Sequence, residues 1–154
     1  MMTLCSEVLT ALKGKTLATA ESCTGGGIGA ALTAVPGASK VYVGGVISYT
    51  NEIKHHCLGV EQEVLEQHGA VSSPVAGAMA SGVRNLMNTD VAVSVTGLAG
   101  PGGDDFGNPV GTVCIGYADK RQRLAKQYQF YGDREDIREQ AIRAALELIL
   151  EVIG

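Results

Sequence analysis

The sequence predicts an α/β fold: a three-layer α/β/α single domain over residues 1–154 with a mixed β-sheet. Three observations predict it. Strand and helix patterns alternate as far as residue 97, as they do in βαβ units. TDVAVSVTG (89–97) is a near-continuous apolar run, of the kind buried on both faces of a sheet. Finally, TVCIGYAD and RLAKQYQFYG flank the turn ADKRQ as an antiparallel pair, and a long amphipathic helix follows them.

Each element has its own local reason. In Thr3–Lys13, Leu4, Val8, Leu9 and Leu12 recur at helical spacing, and Gly14 closes the pattern as a C-cap residue. TLATA (16–20) reads as a short strand, and GIGAALTAV (27–35) as a helix stopped by Pro36 and Gly37. KVYVGGVISYT (40–50) is rich in β-branched residues and reads as a central strand, with Gly44 and Gly45 marking a bulge or a close contact. Asn51 is the expected N-cap of a short helix in NEIKHHCLGV, and VEQEVLEQHG gives another that ends at Gly69. SSPVAGAMASGVRNLMN has Ser73 as its expected cap, Pro74 at the first helical position and a small-residue face suited to a sheet. That face also permits self-association of a homo-oligomer, although sheet packing accounts for it equally well. Asp133 is the expected N-cap of the closing helix, whose first turn carries acids.

Composition narrows the function. Apolar residues form 45 % of the chain and charged residues 18 %, a globular balance without a disordered tract. The net charge is −4 and no Lys/Arg stripe exists to meet a phosphate backbone, so nucleic acid is not the expected partner. No apolar run is long enough to cross a membrane, and MMTLCSEVLTALKGK has no signal-peptide core, so a cytoplasmic protein with no membrane partner is expected. Cys5, Cys23, Cys57 and Cys114 lack CxxC spacing, which suggests free thiols and neither a metal site nor a disulfide framework.

Two loops follow strands at the end where α/β sheets collect their sites. LAGPGGDDFGNPVG (98–111) is long, rich in glycine and proline, and without period. TAESCTGGGIGA (19–30) crowds Glu21, Ser22, Cys23 and Thr24 against three glycines, more chemistry than a chain reversal needs. Four readings of it compete. Gly25, Gly27 and Ala30 satisfy GxGxxA with Glu52 some way on, but the polar Glu-Ser-Cys-Thr between strand and glycines is foreign to a dinucleotide fingerprint. Ser22 as a nucleophile at a strand-to-helix turn is the second, with helix N-terminal amides receiving an oxyanion. Cys23 as nucleophile with a histidine base is the third. The fourth is structural, Ser22 and Thr24 capping the helix. For a base, His55, His56 and His68 all lie on polar helices, whereas Lys54 and Tyr49 follow the end of the neighbouring strand. A lysine with a lowered pKa in a closed pocket accepts a hydroxyl proton.

AESCTGGGIGAALTAVPGAS, GGVISYTNEIKHHCLGV, AVSSPVA, VTGLAGPGG, GTVCIGYA and FYGDREDIR occur in this order over essentially the whole chain. In these motifs the sequence resembles the CinA carboxy-terminal domain family, the nicotinamide mononucleotide deamidases. The resemblance implies hydrolysis of the nicotinamide carboxamide to nicotinate mononucleotide and ammonia, in bacterial pyridine nucleotide (NAD) recycling, by an amidohydrolase that needs no cofactor and no metal. The substrate is then a small molecule, nicotinamide mononucleotide. The chain looks like the stand-alone form of a family in which some members are fused behind a separate nucleotide-processing domain. Carried over by motif, the catalytic residues are Ser22, Lys54 and Tyr49, with Thr96 in the pocket.

From these follows an expected mechanism. Ser22 attacks, neutral Lys54 takes its proton, and Tyr49 orients or relays that proton. Amides at Cys23, Thr24, Gly25 and Gly26 form the oxyanion site, Thr96, Gly97 and Gly100 line the pocket, and Arg134 is a candidate for the phosphate unless it pairs with Asp133 or Asp136. The alternative is a catalytically silent nucleotide-binding or regulatory module of the same fold.

Overall fold

The computed structural model describes residues 1–154. In chain order its elements are α1 (Met2–Ala11), β1 (Leu17–Glu21), α2 (Gly27–Thr33), a 3₁₀ turn (Ala38–Lys40), β2 (Tyr42–Ile47), α3 (Asn51–Leu58), α4 (Gln62–His68), α5 (Ser73–Met87), β3 (Val91–Gly97), β4 (Thr112–Asp119), β5 (Arg123–Gln129) and α6 (Arg134–Ile153). The strands form one mixed sheet in the order β2-β1-β3-β4-β5. Its first three strands are parallel, and β4 and β5 continue it antiparallel.

Helices cover both faces. On one face α2 and α6 bury Ile28, Leu32, Leu146 and Ile149, and α1 packs on those two helices, adding Val8 and, just past its end, Leu12 to the same core. On the other face Val75, Met79 and Val83 of α5 meet Ala18, Ala20 and Ala92, with Leu58 of α3 and Leu65 of α4 closing that layer. The predicted α/β/α layering is therefore present, and β3 is buried along almost its whole length.

One strand lies elsewhere than expected. β2 is an edge strand, and short β1 lies inside it, next to central β3. Every residue of β1 is buried, whereas β2 alternates between half-buried and exposed positions. The small side chains Ala18, Thr19 and Ala20 let β1 sit between two helical layers, a place that packing assigns and β-propensity does not. The expected irregularity at the glycines is real: the register slips between Leu17 and Ala18, skipping Val43, and a Cβ on Gly45 would stand 2.3 Å from the Thr19 hydroxyl.

The caps shift by one residue. Thr50, rather than Asn51, accepts the amide of Ile53, and Ser72, rather than Ser73, accepts that of Val75. A capping side chain bonds the amide about three positions on, so the residue with extended backbone takes the role. α1 ends at Ala11, ahead of Gly14, which turns the chain toward β1 with a positive φ. Asp133 caps α6 as expected, in a reciprocal capping box with Asp136.

α3 and α5 touch through Gly82, where a methyl group would stand 2.0 Å from the Leu58 carbonyl oxygen. Gly82→Ala must therefore push α3 off α5, with an expected loss of about 1–3 kcal/mol of stability, as overpacking costs elsewhere. Urea denaturation checks it. Since α3 carries Lys54, the same substitution displaces the site described next.

Candidate active site

β1 hands the chain to α2 and then to β2 on one side, while β3 lies on its other side, so a crevice opens between the carboxyl ends of β1 and β3. Ligands of open α/β sheets bind in such a crevice. Here it is a pocket of about 290 Å³. Ser22 and Cys23 enter from the end of β1, Lys54 from α3 and Tyr49 from the segment before it. Thr96 and Gly97 come from β3, Gly100 from the loop beyond it, and Arg134 from the first turn of α6.

Lys54 is the unusual member. Its position in α3 puts it on the inward face with Leu58, one turn on, and it is only 1 % exposed. Nζ donates to the carbonyls of Ser48 (2.8 Å) and Tyr49 (3.1 Å) and stands 3.0 Å from the Ser22 hydroxyl oxygen. No carboxylate pairs with it, since the only ion pair in the chain is Lys126–Glu151. Burial therefore lowers its pKa to about 8, against an opposing effect of Cys23. A neutral amine here gives its two hydrogens to the two carbonyls and turns its lone pair toward Ser22.

Ser22 is 6 % exposed, and its amide is tied to the Val95 carbonyl across the crevice. Its neighbour Cys23 also lines the pocket, fitting beside Gly97, where a Cβ would approach the sulfur to 3.2 Å. Burial pushes the Cys23 thiol up to about 11, which keeps it protonated and speaks against a thiolate nucleophile. The histidines stay out: His56 and His68 are exposed, and His55 Nδ1 is bonded to the Val60 carbonyl at 2.7 Å.

Several expected roles change with the geometry. The Tyr49 side chain is 59 % exposed and its hydroxyl accepts from Arg134 (3.3 Å), so the part of Tyr49 that holds Lys54 is its backbone carbonyl. A phenolic proton relay to Ser22 therefore lacks a path. Thr24, Gly25 and Gly26 do not line the pocket. The Thr24 hydroxyl is buried on Glu21 (2.7 Å), and Gly26 takes the left-handed backbone at the start of α2. Nor are the helix amides available to an oxyanion, because the Glu21 carboxylate already accepts those of Ile28 (2.8 Å) and Gly29 (3.1 Å). The Gly25 amide bonds the Ser22 carbonyl. The amides of Cys23, Thr24 and Gly26 carry no hydrogen bond within the chain, and of the three only Cys23 lines the pocket.

Arg134 does not pair with Asp133 or Asp136, which serve the capping box; it donates to the Gly100 carbonyl and to Tyr49, bridging two sides of the pocket mouth. Thr96 turns its hydroxyl to the Ala70 carbonyl (2.9 Å), and Asn108 donates to that of Val71 (3.3 Å). Together they fasten the 70–71 wall of the pocket. The sequence reading did not single out Ser48, this wall, Glu21 as a hydrogen-bonding centre, or Arg138, whose guanidinium donates to the carbonyls of Cys23 (3.0 Å) and Thr24 (3.2 Å). The one available signal was the spacing of Arg138 from Arg134, one helical turn on the same face.

The family model described as CinA C-terminal domain matches residues 2–153. The chain belongs to that family. A CinA-like protein of Parasynechococcus marenigrum is 57 % identical over 114 residues, covering 73 % of this chain and 27 % of that protein. One from Mycolicibacterium gilvum is 46 % identical over 149 residues, covering 96 % of this chain and 35 % of its own length. The chain thus spans about a third or less of these curated relatives. Among solved structures, a CinA superfamily protein of Klebsiella pneumoniae 700603 superposes with a TM-score of 0.95 at 36 % identity, over 99 % of this chain and 96 % of its own. One from Escherichia coli gives 0.94 at 37 %, over 97 % and 88 %. The CinA relatives come from bacteria. No helix of this chain is long and apolar enough to cross a membrane.

Proposed function

We propose that this CinA-family protein is an amidohydrolase with Ser22 as nucleophile and Lys54 as general base, and that its substrate is nicotinamide mononucleotide, converted to nicotinate mononucleotide and ammonia in pyridine nucleotide recycling. The observation that carries the proposal is the buried, carbonyl-held Lys54 amine, 3.0 Å from the Ser22 hydroxyl, in a pocket at the sheet's switch point. The substrate rests on the motif resemblance of the sequence to the deamidases.

In this scheme the Ser22 oxygen adds to the amide carbon as its proton passes to the neutral Lys54 amine. The tetrahedral oxyanion meets the amide of Cys23, the unpartnered loop donor whose residue lines the pocket, a fixed donor being worth roughly 3 kcal/mol in such sites. Lys54 then gives its proton to the nitrogen, the C–N bond breaks, and ammonia leaves an acyl-serine. Water attacks the ester, Lys54 takes a proton from it, and that proton returns to Ser22 as the acid departs. Arg134 at the mouth is the group offered to the phosphate.

The test is ammonia release from nicotinamide mononucleotide by the purified protein, with the acid product identified by mass and Ser22→Ala measured beside it. Release that the substitution removes is the expected result. Binding without release overturns the amidase and leaves a silent nucleotide-binding module; release from other carboxamides alone overturns the substrate.

A further inference from the structure

Glu21 is the last residue of β1, 2 % exposed, and takes no part in the chemistry just described. It is nevertheless the most connected residue beside the nucleophile. Oε1 accepts the Thr24 hydroxyl and the Ile28 amide, Oε2 accepts the Gly29 amide, and the main-chain oxygen accepts both the amide (2.7 Å) and the hydroxyl (3.2 Å) of Ser48. Ser48 in turn holds Lys54 through its carbonyl. One residue therefore ties the Ser22 loop to α2 and to the segment that positions the base.

The same loop is gripped by Arg138 of α6, which takes the carbonyls of Cys23 and Thr24. In a planar trans peptide the N–H points opposite to the C=O. With the Cys23 carbonyl held on Arg138, the Thr24 amide is turned away from that guanidinium; with the Ser22 carbonyl held by Gly25, the Cys23 amide is likewise turned out of the loop. These two amides, and that of Gly26 at the start of α2, are the loop donors without a partner in the chain. A carboxylate holds the Thr24 hydroxyl and the first amides of α2, and a guanidinium holds the Cys23 and Thr24 carbonyls.

We propose that Glu21 and Arg138 are positioning residues that clamp the Ser22 loop, the carboxylate through the Thr24 hydroxyl and the first amides of α2 and the guanidinium through the loop's carbonyls, so that the Ser22 hydroxyl faces Lys54 and the free amides keep one orientation. The inference rests on Ser22 being the nucleophile, not on the identity of the amide substrate. Glu21→Gln substitutes an NH₂ group for one acceptor oxygen, and that group must face a backbone N–H or the Thr24 hydroxyl. Arg138→Met keeps a stem of similar length and removes the donors.

The experiment uses the full chain and two readouts: kcat and KM for ammonia release, and the rate at which a fluorophosphonate labels Ser22. Arg138→Met, the half-buried and gentler substitution, is expected to lower kcat and the labelling rate about 100-fold with KM nearly unchanged, the loss expected of a misplaced reacting group. Millimolar guanidinium added to Arg138→Ala is expected to restore part of the labelling rate, which a merely structural role does not provide. Glu21→Gln is expected to behave like Arg138→Met where it folds, and Arg138→Met decides the matter where it does not. Unchanged kcat and labelling in folded Arg138→Met overturn the clamp. Wild-type protein that labels but releases no ammonia from nicotinamide mononucleotide overturns the substrate and leaves the labelling comparison to decide the clamp. Wild-type Ser22 that resists the reagent overturns nucleophile and clamp together.

Discussion

Ser22→Ala is expected to lower kcat by several orders of magnitude, because removing a nucleophile leaves only the catalysis that binding and oxyanion donors supply. The fold gives little reason for any other effect. The serine makes one long bond, 3.4 Å to the Tyr49 carbonyl, and receives one from Lys54, which keeps two carbonyl partners without it. Loss of a single hydroxyl there is expected to change stability by about 1 kcal/mol or less. Substrate affinity is expected to survive, since Thr96, Gly97, Gly100 and Arg134 are untouched. Turnover, thermal unfolding and a binding isotherm on one preparation check all three. A variant that turns over normally removes Ser22 from the mechanism; if Cys23→Ala is dead beside it, the reaction belongs to the thiol, despite the burial that holds it protonated.

The two strand-end loops were legible because each concentrates polar or glycine-rich sequence directly after an apolar strand, and the fold can only place such segments at the carboxyl edge of the sheet. Eight of the eleven residues read as site residues line the pocket: Ser22, Cys23, Tyr49, Lys54, Thr96, Gly97, Gly100 and Arg134. What the sequence did not disclose is which atom of each residue faces what. Tyr49 carries its hydroxyl to the rim and lends the lysine a carbonyl, a distinction set by one backbone turn. Thr24 looked like a pocket hydroxyl because it follows Ser22 and Cys23, yet it satisfies Glu21. The order of the strands escaped for a related reason. β2 is longer and richer in β-branched residues than β1, but the inner place belongs to the strand whose side chains are small enough for helices on both faces. Arg138 lies more than a hundred residues from the loop it grips, beyond the reach of any local pattern.

Burial works for and against this site. A lysine taken out of water and given no carboxylate costs the fold stability near neutral pH, and that same cost makes it a base at accessible pH. The switch-point crevice allows this because backbone carbonyls of the 48–49 segment supply acceptors for the amine without supplying a charge.

Lys54 accordingly governs both rate and stability, with the same sign on the pH axis. Only the neutral amine accepts the Ser22 proton, so kcat/KM is expected to climb about tenfold per pH unit below the lysine's pKa and to flatten above about 8. Lys54→Met is expected to be inactive throughout, and Lys54→Arg as well, because a guanidinium stays charged. For stability, the folded protein holds this proton less tightly than the unfolded chain, whose lysine titrates near 10.4. Below about 8 both states carry the proton and the buried charge is a constant cost. Between that value and about 10 only the unfolded chain carries it, so wild-type stability rises with pH by about 1.4 kcal/mol per unit relative to Lys54→Met. Urea denaturation of the two proteins across this range isolates the lysine from the tyrosines and cysteines that titrate in both. A constant difference, together with a rate that does not rise toward pH 8, would place an ordinary charged lysine beside Ser22 and require another group to take its proton.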